Sequence, residues 1–420
     1  MSRGAPDAAP WMPQTPSQTS PHRTDERTPV TVETKTMLIN MGPQHPSTHG
    51  VLRLELELDG EVVVKVTPHI GYLHTGMEKI LESKRYQQAI TVTDRFDYVA
   101  PMSNNLAFVL SVEKLLGIEV PERTRTIRVL LAELTRIKSH LVAIGTMALE
   151  LGAQSVFFYC FREREKILDL YEMVSGARMM SSYFRVGGLM ADLPEGFDGA
   201  VQQIMQDFPG RFDEYEDLLT RNPLWIQRVK GVGVIKAEEA IDWGLSGPNL
   251  RACGVPWDLR KSNPYSGYEQ FDFTIALGQA GDSYERYLVR IFEMRESLKI
   301  VEQALKAMPG GPVNIDNPKI VPPPKRVVRQ SMEALIHHFL LYSHGFDVPP
   351  GEAYVAVEGP KGEVGFYVVS DGTNKPWRVK LRPPSFVNIQ ALPRLIEGHM
   401  VADVVAIIGS MDFVLGEADR

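Results

Sequence analysis

The clearest pattern along the chain is a strict alternation of apolar and charged residues that follows its first fifty positions. Between Val51 and Leu58 every second residue is leucine, and arginine or glutamate stands between the leucines. Asp59-Gly60, a dipeptide typical of tight turns, separates this run from a second one at Glu61–Val66. A period of two places the leucines on one face of a sheet. The pattern therefore predicts a β-hairpin over residues 51–66.

From about Met102 the spacing of apolar residues changes to three and four, as on one face of an α-helix. This spacing predicts a helix that ends near Gly117 and a long helix from Glu122 towards Leu151. Further helices are predicted at 157–174, 198–219, 282–307 and 331–342. Asp282 and Glu285 have the spacing of a capping box at the start of the third of these. Residues 222–280 show little periodicity and are predicted to be rich in loops.

Strand patterns return towards the C-terminus, at Ala353–Glu358, Glu363–Ser370 and Trp377–Arg382, with Gly-Pro-Lys-Gly and Asp-Gly turns between them. The predicted class is therefore α+β, a helical bundle with small antiparallel sheets supplied by the N-terminal and C-terminal parts. The predicted regions are 1–35, a disordered arm rich in Pro, Ser and Thr; 36–101, a β-rich region; 102–345, the helical bundle with inserted loops; and 346–420, a C-terminal β-region and tail.

Composition narrows the class of protein. A hydrophobic content of 44% and a charged content of 23% are ordinary for a soluble globular protein. The net charge of −7 gives no support for nucleic-acid binding, which favours a basic surface. Two cysteines, Cys160 and Cys253, are too few for an iron–sulfur cluster or a cysteine-only zinc site, and they favour a reduced, cytoplasmic compartment. The longest apolar stretch, Val401–Leu415, is too short to span a bilayer.

One loop stands out as a place for chemistry. The stretch Met41–Gly50 carries His45 and His49, and Pro43 and Pro46 restrict its backbone. A stiff loop that presents imidazole groups suits a functional site, because imidazole gains or loses a proton near neutral pH. The alternative interpretation is a polar turn ahead of a strand.

Three segments, Met41–Gly50, Pro68–Lys79 and Thr93–Met102, together resemble the D subunit of the bacterial proton-pumping NADH:quinone oxidoreductase, respiratory complex I. The resemblance extends over nearly everything after residue 36. Its further motifs are Leu131–Leu141, Phe157–Glu165, Arg228–Gly233, Pro264–Glu269, Pro384–Gln390 and Val405–Asp412.

The resemblance implies a fold similar to the large subunit of nickel–iron hydrogenases, in which two cysteine pairs hold the metal centre. The stretches of this chain that match those pairs, Asp94–Met102 and Ser410–Arg420, contain no cysteine. The resemblance therefore implies that the nickel site is absent and that a quinone head group occupies the vacated cavity.

By position, the resemblance assigns the two quinone head-group ligands to His49 and Tyr98. Reduction of a quinone requires two protons, and a phenol and an imidazole at opposite carbonyls can each donate a hydrogen bond and then a proton. A carboxylate is implied beside the histidine, at Glu150, where relatives usually have aspartate. Without the resemblance, the sequence favours a core aromatic residue with a hydrogen-bonded hydroxyl at Tyr98. For Glu150 the alternative interpretation is a surface residue at a helix end.

Arg95 matches an arginine near the terminal iron–sulfur cluster of the adjoining subunit, and Met180 stands where the family has a histidine near the same cluster. Methionine cannot take up a proton. At an effective dielectric constant of about 20, a unit charge roughly 6 Å away is worth ~3 kcal/mol, on the order of 100 mV for one electron. The sequence predicts a cluster potential that depends little on pH, and the acceptor is expected to be a low-potential menaquinone. The family also commonly has proline where this chain has Phe413.

The implied function is that of a peripheral complex I subunit that binds no cofactor by itself. Electrons pass from NADH through FMN and iron–sulfur clusters in other subunits to quinone, and quinone reduction is coupled to proton translocation. The expected partners are the iron–sulfur B subunit, the C subunit of the peripheral arm and the membrane-arm subunit that lines the quinone tunnel, on the cytoplasmic side of the inner membrane. Two alternatives remain: a hydrogenase-like subunit of another membrane redox complex, and a scaffold without a quinone site.

Overall fold

The alternating leucines form the buried face of a three-stranded antiparallel sheet. The structure, a computed structural model, describes residues 36–45 and 50–420. The strands are β1 (Met37–Met41), β2 (Arg53–Asp59) and β3 (Val62–His69), in the order β1-β2-β3. Leu54, Leu56 and Leu58 are buried along β2, and Leu52 is buried just before it. The predicted hairpin is therefore confirmed, whereas the predicted arm at 1–35 lies outside the described residues.

The six predicted helices are all present, with bounds close to those expected from the apolar spacing. Asp282 accepts a hydrogen bond from the Glu285 backbone N–H at 2.8 Å, which confirms the predicted cap. Within the described ranges the helices are α1 (Met77–Ser83), α2 (Tyr86–Thr93), α3 (Pro101–Leu116), α4 (Glu122–Glu150), α5 (Gln154–Ser175), α6 (Phe197–Leu219), α7 (Pro223–Val229), α8 (Ala237–Asp242), α9 (Gly247–Arg251), α10 (Leu259–Ser262), α11 (Ser283–Lys306), α12 (Lys325–Val328), α13 (Met332–Ser343), α14 (Pro384–Gln390), α15 (Leu392–Ile396), α16 (Val401–Met411) and α17 (Leu415–Asp419). Among these residues, no helix has both the length and the apolarity needed to cross a membrane.

The C-terminal strands form a second antiparallel sheet, as predicted. It consists of β6 (Gly351–Gly359), β7 (Gly362–Ser370) and β8 (Arg378–Arg382), and a short hairpin of β4 (Phe184–Arg185) and β5 (Gly188–Leu189) lies between the helices. Together with the helices, these small sheets confirm the α+β class. Residues after β8, for which the sequence predicted no element, form the helices α14 to α17.

The buried side chains form two large cores. The first lies between α3, α4, α5, α6 and α11 and the inner face of the sheet β6–β8. The second joins the leucine face of β2 to the C-terminal helices α15, α16 and α17. The two thiols lie in different cores, Cys160 in the first and Cys253 in the second. The second core fixes the last thirty residues of the chain against the N-terminal sheet.

A buried ionic network connects the helices to the second sheet. Arg251 donates hydrogen bonds to Glu293 on α11 at 2.6 Å and to Glu358 on β6 at 2.7 Å. Arg136 on α4 donates to the backbone oxygens of Glu358 at 2.6 Å and of Gly359 at 3.1 Å. Because all these charges are buried, each depends on its partners. The network therefore fixes the β6–β7 turn beside α4.

We expect Glu293→Gln to destabilise the protein by about 3 kcal/mol, because it removes one of the two carboxylates that the buried Arg251 guanidinium contacts at 2.6 and 2.7 Å. Glu302→Gln on the same helix is the matched control, since Glu302 makes an exposed pair with Lys306. The control is expected to change stability by less than about 0.5 kcal/mol. Urea unfolding of the purified protein measures both effects. Equal midpoints for the two variants would show that the network contributes nothing.

Candidate functional site

The segment between α2 and α3 holds Tyr98 in a fixed backbone turn. The side chain of Asp97 accepts hydrogen bonds from the backbone N–H groups of Val99 at 3.0 Å and Ala100 at 3.1 Å. Pro101 then begins α3, where its missing N–H costs nothing. Tyr98 itself is half-buried. Burial, followed by the neighbouring carboxylate of Asp97, raises its pKa above the ordinary value for tyrosine, so its hydroxyl stays protonated at neutral pH.

A buried ion pair lies beside Tyr98. Lys361, in the β6–β7 turn, donates one hydrogen bond to Asp97 at 3.0 Å and another to the Ser139 hydroxyl on α4 at 2.9 Å. Burial alone would lower the pKa of Lys361, but the carboxylates of Asp97 and Asp412 outweigh it, and the pKa is raised. Lys361 therefore remains charged and ties three distant parts of the chain together.

The C-terminal residues close the other side of Tyr98. A Cβ atom on Gly416 would lie 2.8 Å from the Phe96 carbonyl oxygen and 3.2 Å from the Tyr98 ring, so the close approach requires glycine. Asp419 accepts hydrogen bonds from the backbone N–H groups of Gly71 at 2.8 Å and Leu73 at 2.7 Å. The last turn of the chain thus holds the loop after β3 against the segment that carries Tyr98.

Glu417 is a buried carboxyl group in the same region. It accepts hydrogen bonds from the hydroxyl and the backbone N–H of Ser385. Burial, followed by the Asp97 carboxylate, raises the pKa of Glu417 to about 8. At neutral pH this group is mostly a neutral carboxylic acid next to the Asp97–Lys361 pair.

His49 lies outside the described residues, but the structure shows where its loop begins and ends. Met41 at the end of β1 pairs with Leu54, and Arg53 at the start of β2 pairs with His69 at the end of β3. The end of β1, the start of β2 and the end of β3 therefore lie at the same end of the sheet, so the loop that joins β1 to β2 begins beside the loop that Asp419 holds.

Glu150 is the last residue of α4 and lies against α16. A Cβ atom on Gly409 would be only 2.6 Å from the Glu150 carboxylate, so this glycine makes room for the side chain. The contact of Glu150 with His49 stays a prediction. Phe413 is buried in the second core, where it contributes to packing.

The structure brings the segments of Arg95 and Met180 together. The Ser182 hydroxyl donates a hydrogen bond to the buried carboxylate of Asp94, the residue before Arg95. Arg95 extends outward, with 54% of its side chain exposed, and its guanidinium is 3.8 Å from Asp94. Met180, two residues before Ser182, is half-buried. The two segments are therefore adjacent, and the position of Arg95 and Met180 near a partner's cluster stays a prediction.

Sequence analysis missed Asp97, Lys361, Glu417 and Asp419 as members of this site. Asp97 stands next to Tyr98, which was a usable signal. Lys361 had none, because a lysine in a Gly-Pro-Lys-Gly turn is usually exposed.

Comparison with known proteins decides the family. A family model described as "Respiratory-chain NADH dehydrogenase, 49 Kd subunit" matches residues 150–420. The chain belongs to this family. The NADH-quinone oxidoreductase D subunit of Geotalea uraniireducens is 62% identical over 387 residues, which cover 92% of this chain and 99% of the relative. The protein of the same name from Citrifermentans bemidjiense is 62% identical over 384 residues, 91% of this chain and 99% of the relative.

A third relative of that name, from Geobacter sulfurreducens, is 59% identical over 387 residues, 92% of this chain and 99% of the relative. The resemblance stated from the motifs is therefore confirmed across nearly the whole chain. Membership of the family also confirms the prediction of an oxidoreductase subunit.

The raised pKa of Glu417 gives a stability that depends on pH. Because its folded-state pKa of about 8 exceeds the value of 4.5 for an unperturbed glutamate, folding favours the protonated form. This contribution is complete below pH 4.5 and is lost as pH rises towards 8. We expect Glu417→Gln to gain about 3 kcal/mol of stability relative to the unaltered protein between pH 5.5 and pH 8.5.

Urea unfolding at the two pH values measures this gain, with the exposed Glu302→Gln as the control. A difference between Glu417→Gln and the unaltered protein that stays constant over this range would contradict the assignment.

Proposed function

We propose that this chain forms the quinone-reduction site of a proton-translocating NADH:quinone oxidoreductase, together with a neighbouring iron–sulfur subunit. The observation that carries the proposal is Tyr98, a half-buried phenol that stays protonated and lies beside the Asp97–Lys361 pair. Such a phenol can donate a hydrogen bond to a quinone carbonyl and then the proton itself. Because Asp97 and Lys361 are buried, little water is present there to compete for the hydrogen bond of the Tyr98 hydroxyl.

His49 supplies the second proton in this proposal, at the opposite carbonyl. The loop that carries it starts at the same end of the N-terminal sheet as the loop after β3, which Asp419 holds by a hydrogen bond. Glu150 is the expected partner of the imidazole. Because histidine has an ordinary pKa of about 6.5, it regains a proton readily at neutral pH.

The electrons come from outside this chain in the proposed scheme. They pass from NADH through FMN and iron–sulfur clusters of other subunits and reach the quinone through the cluster-bearing B subunit. The surface that presents Arg95 and Met180 is the side proposed to face that cluster. The C subunit of the peripheral arm and the membrane-arm subunit at the quinone tunnel are further proposed partners. The proposed location is the cytoplasmic side of the inner membrane, as a peripheral membrane protein.

We expect Tyr98→Phe to slow quinone reduction at least tenfold in the assembled complex, because the ring stays and only the proton donor is removed. His49→Ala is expected to have a similar effect. Tyr354→Phe is the matched control, since its hydroxyl lies at the exposed edge of β6, bonded to Glu363. NADH oxidation with an artificial acceptor checks assembly. Unchanged quinone reduction in both site variants would favour a scaffold without a quinone site.

We expect the potential of the neighbouring cluster to change by less than about 20 mV per pH unit, because Met180 takes up no proton. Met180→His is expected to increase this slope towards about 60 mV per pH unit, the value for one proton per electron. Met179→His, one residue earlier and also half-buried, is the control. Redox titration of the cluster at several pH values measures all three. A slope near one proton per electron in the unaltered complex would refute the expectation.

A further inference from the structure

Lys138 is a buried lysine whose position no other part of the site explains. It lies on α4, one residue before Ser139, and its side chain is fully buried. Its ammonium has no hydrogen-bond partner in the part of the chain that the structure describes. The ammonium lies over the Tyr171 ring, 4.5 Å from its centroid. An aromatic face stabilises a cation much less than a carboxylate contact does.

Charged groups from three other elements surround Lys138. Arg164 comes from α5, Asp94 and Asp97 come from the segment before α3, and Lys361 comes from the β6–β7 turn. Two of these groups are cations and two are anions, so their effects largely oppose one another. Burial, followed by Arg164, lowers the pKa of Lys138 to about 7. Lys138 therefore gains and loses a proton in the physiological range.

Lys361 is the natural comparison, because it is equally buried but has a carboxylate partner. Its contact with Asp97 keeps it charged, and its pKa is raised. Of these two lysines, only Lys138 releases a proton readily near neutral pH.

The Asp97–Lys361 pair connects the neighbours of Lys138 and Tyr98 in the chain, because Lys361 donates hydrogen bonds to Ser139, the residue after Lys138, and to Asp97, the residue before Tyr98. Both members of the pair interact electrostatically with Lys138, and both also interact with Tyr98. The pKa of Tyr98 is raised above 10.0, whereas that of Lys138 is about 7. Proton transfer from the Lys138 ammonium to a Tyr98 phenolate is therefore downhill. Proton transfer from Lys361 to the phenolate lacks this advantage, because the pKa of Lys361 is raised rather than lowered.

Two of the charged groups that act on Lys138, Arg164 and Asp94, themselves have buried atoms that are unsatisfied within the described part of the chain. Arg164 Nε, Asp94 Oδ1 and Ser181 Oγ are buried and, within residues 36–45 and 50–420, have no hydrogen-bond partner either. Buried polar atoms in proteins are nearly always satisfied, commonly by ordered water. Arg164 reaches towards Glu165, whose side chain is 44% exposed. Internal water around these atoms would connect Lys138 to the surface of α5.

We propose that Lys138 supplies the proton that Tyr98 regains after it has given its own proton to the quinone. This inference rests on the function proposed above. The quinone takes two electrons through the partner subunit and two protons, one of them from the Tyr98 hydroxyl. The phenolate takes a proton from the Lys138 ammonium through the Asp97–Lys361 pair and intervening water. The Lys138 amine then takes one proton from solvent, so this half of the reaction consumes one solvent proton.

The test uses the assembled complex with Lys138→Met, Lys138→Arg and the control Lys299→Met, which replaces an exposed lysine on α11. Arginine keeps the positive charge but does not release a proton at these pH values. The rate of NADH:quinone reduction is measured from pH 6 to pH 9, together with NADH oxidation by an artificial acceptor. The second rate reports assembly and does not involve Tyr98.

In the unaltered complex and the control, we expect quinone reduction to fall as pH rises through about 7, because the Lys138 ammonium is lost. Both Lys138 variants are expected to be at least tenfold slower at pH 6 and to show a clearly smaller fall in rate between pH 6 and pH 8 than the control. Wild-type rates in Lys138→Arg would show that only the charge matters and would overturn the proposal. Absence of the step from the unaltered complex would also overturn it, even where a variant fails to assemble.

Tyr98→Phe separates this inference from the proposed function. If Tyr98→Phe abolishes quinone reduction but Lys138→Met keeps the unaltered pH profile, only the role of Lys138 is refuted. If Tyr98→Phe leaves quinone reduction unchanged, the quinone site itself is refuted.

Discussion

The arrangement of the site depends on the buried ion pair between Asp97 and Lys361. It joins a segment before α3, a turn between two C-terminal strands and, through Ser139, the middle of α4. Such a pair is stable in the interior only when its remaining hydrogen-bonding capacity is satisfied. Two backbone N–H groups satisfy Asp97, and the Ser139 hydroxyl satisfies Lys361. The position of Tyr98 depends on this pair, and the Asp97 carboxylate adds to the effect of burial in raising the pKa of Glu417.

Lys361 in this pair and Lys138 close to it show how the contacts of a buried lysine set its proton affinity. Lys138 and Lys361 are both fully buried, and burial lowers the pKa of each. A direct contact with Asp97 reverses the effect for Lys361, whereas Lys138 faces an aromatic ring and a second cation, Arg164. The same side chain therefore serves as a fixed charge in one place and as an exchangeable proton in the other.

The sequence predicted those elements whose pattern has one buried face. In β2 every second residue is a leucine, and in α4 apolar residues recur every three or four positions, so both periods are visible in the sequence. Val401–Met411 forms α16, which packs against α4 and α11, and most of its residues are apolar. A short apolar run does not by itself distinguish a helix from a strand, so no helix was predicted there. The helices between Pro223 and Ser262 have four to seven residues, which is too short for a period to appear.

For the site, the sequence predicted the residues that motifs carry and missed those that only packing reveals. Tyr98 and Arg95 followed from the resemblance, and the structure places both on one short segment. The role of Lys361 depends on a contact 264 positions away in the chain, which no local pattern encodes. The burial of Glu417 likewise depends on Ser385 and on the second core.

The two stretches that match the hydrogenase cysteine pairs, Asp94–Met102 and Ser410–Arg420, lie against each other in this chain. Gly416 approaches the carbonyl oxygens of Arg95 and Phe96 so closely that any side chain would collide with them. No thiol is present in either stretch. Asp97 of the first stretch accepts a hydrogen bond from Lys361, and Glu417 of the second accepts one from Ser385. Asp419 in the same C-terminal turn also holds the loop after β3, through the backbone N–H groups of Gly71 and Leu73. The C-terminal turn therefore contacts two separate segments at once, the one that carries Tyr98 and the one that follows β3, and it fixes them through a glycine without a side chain and an aspartate that accepts backbone hydrogen bonds.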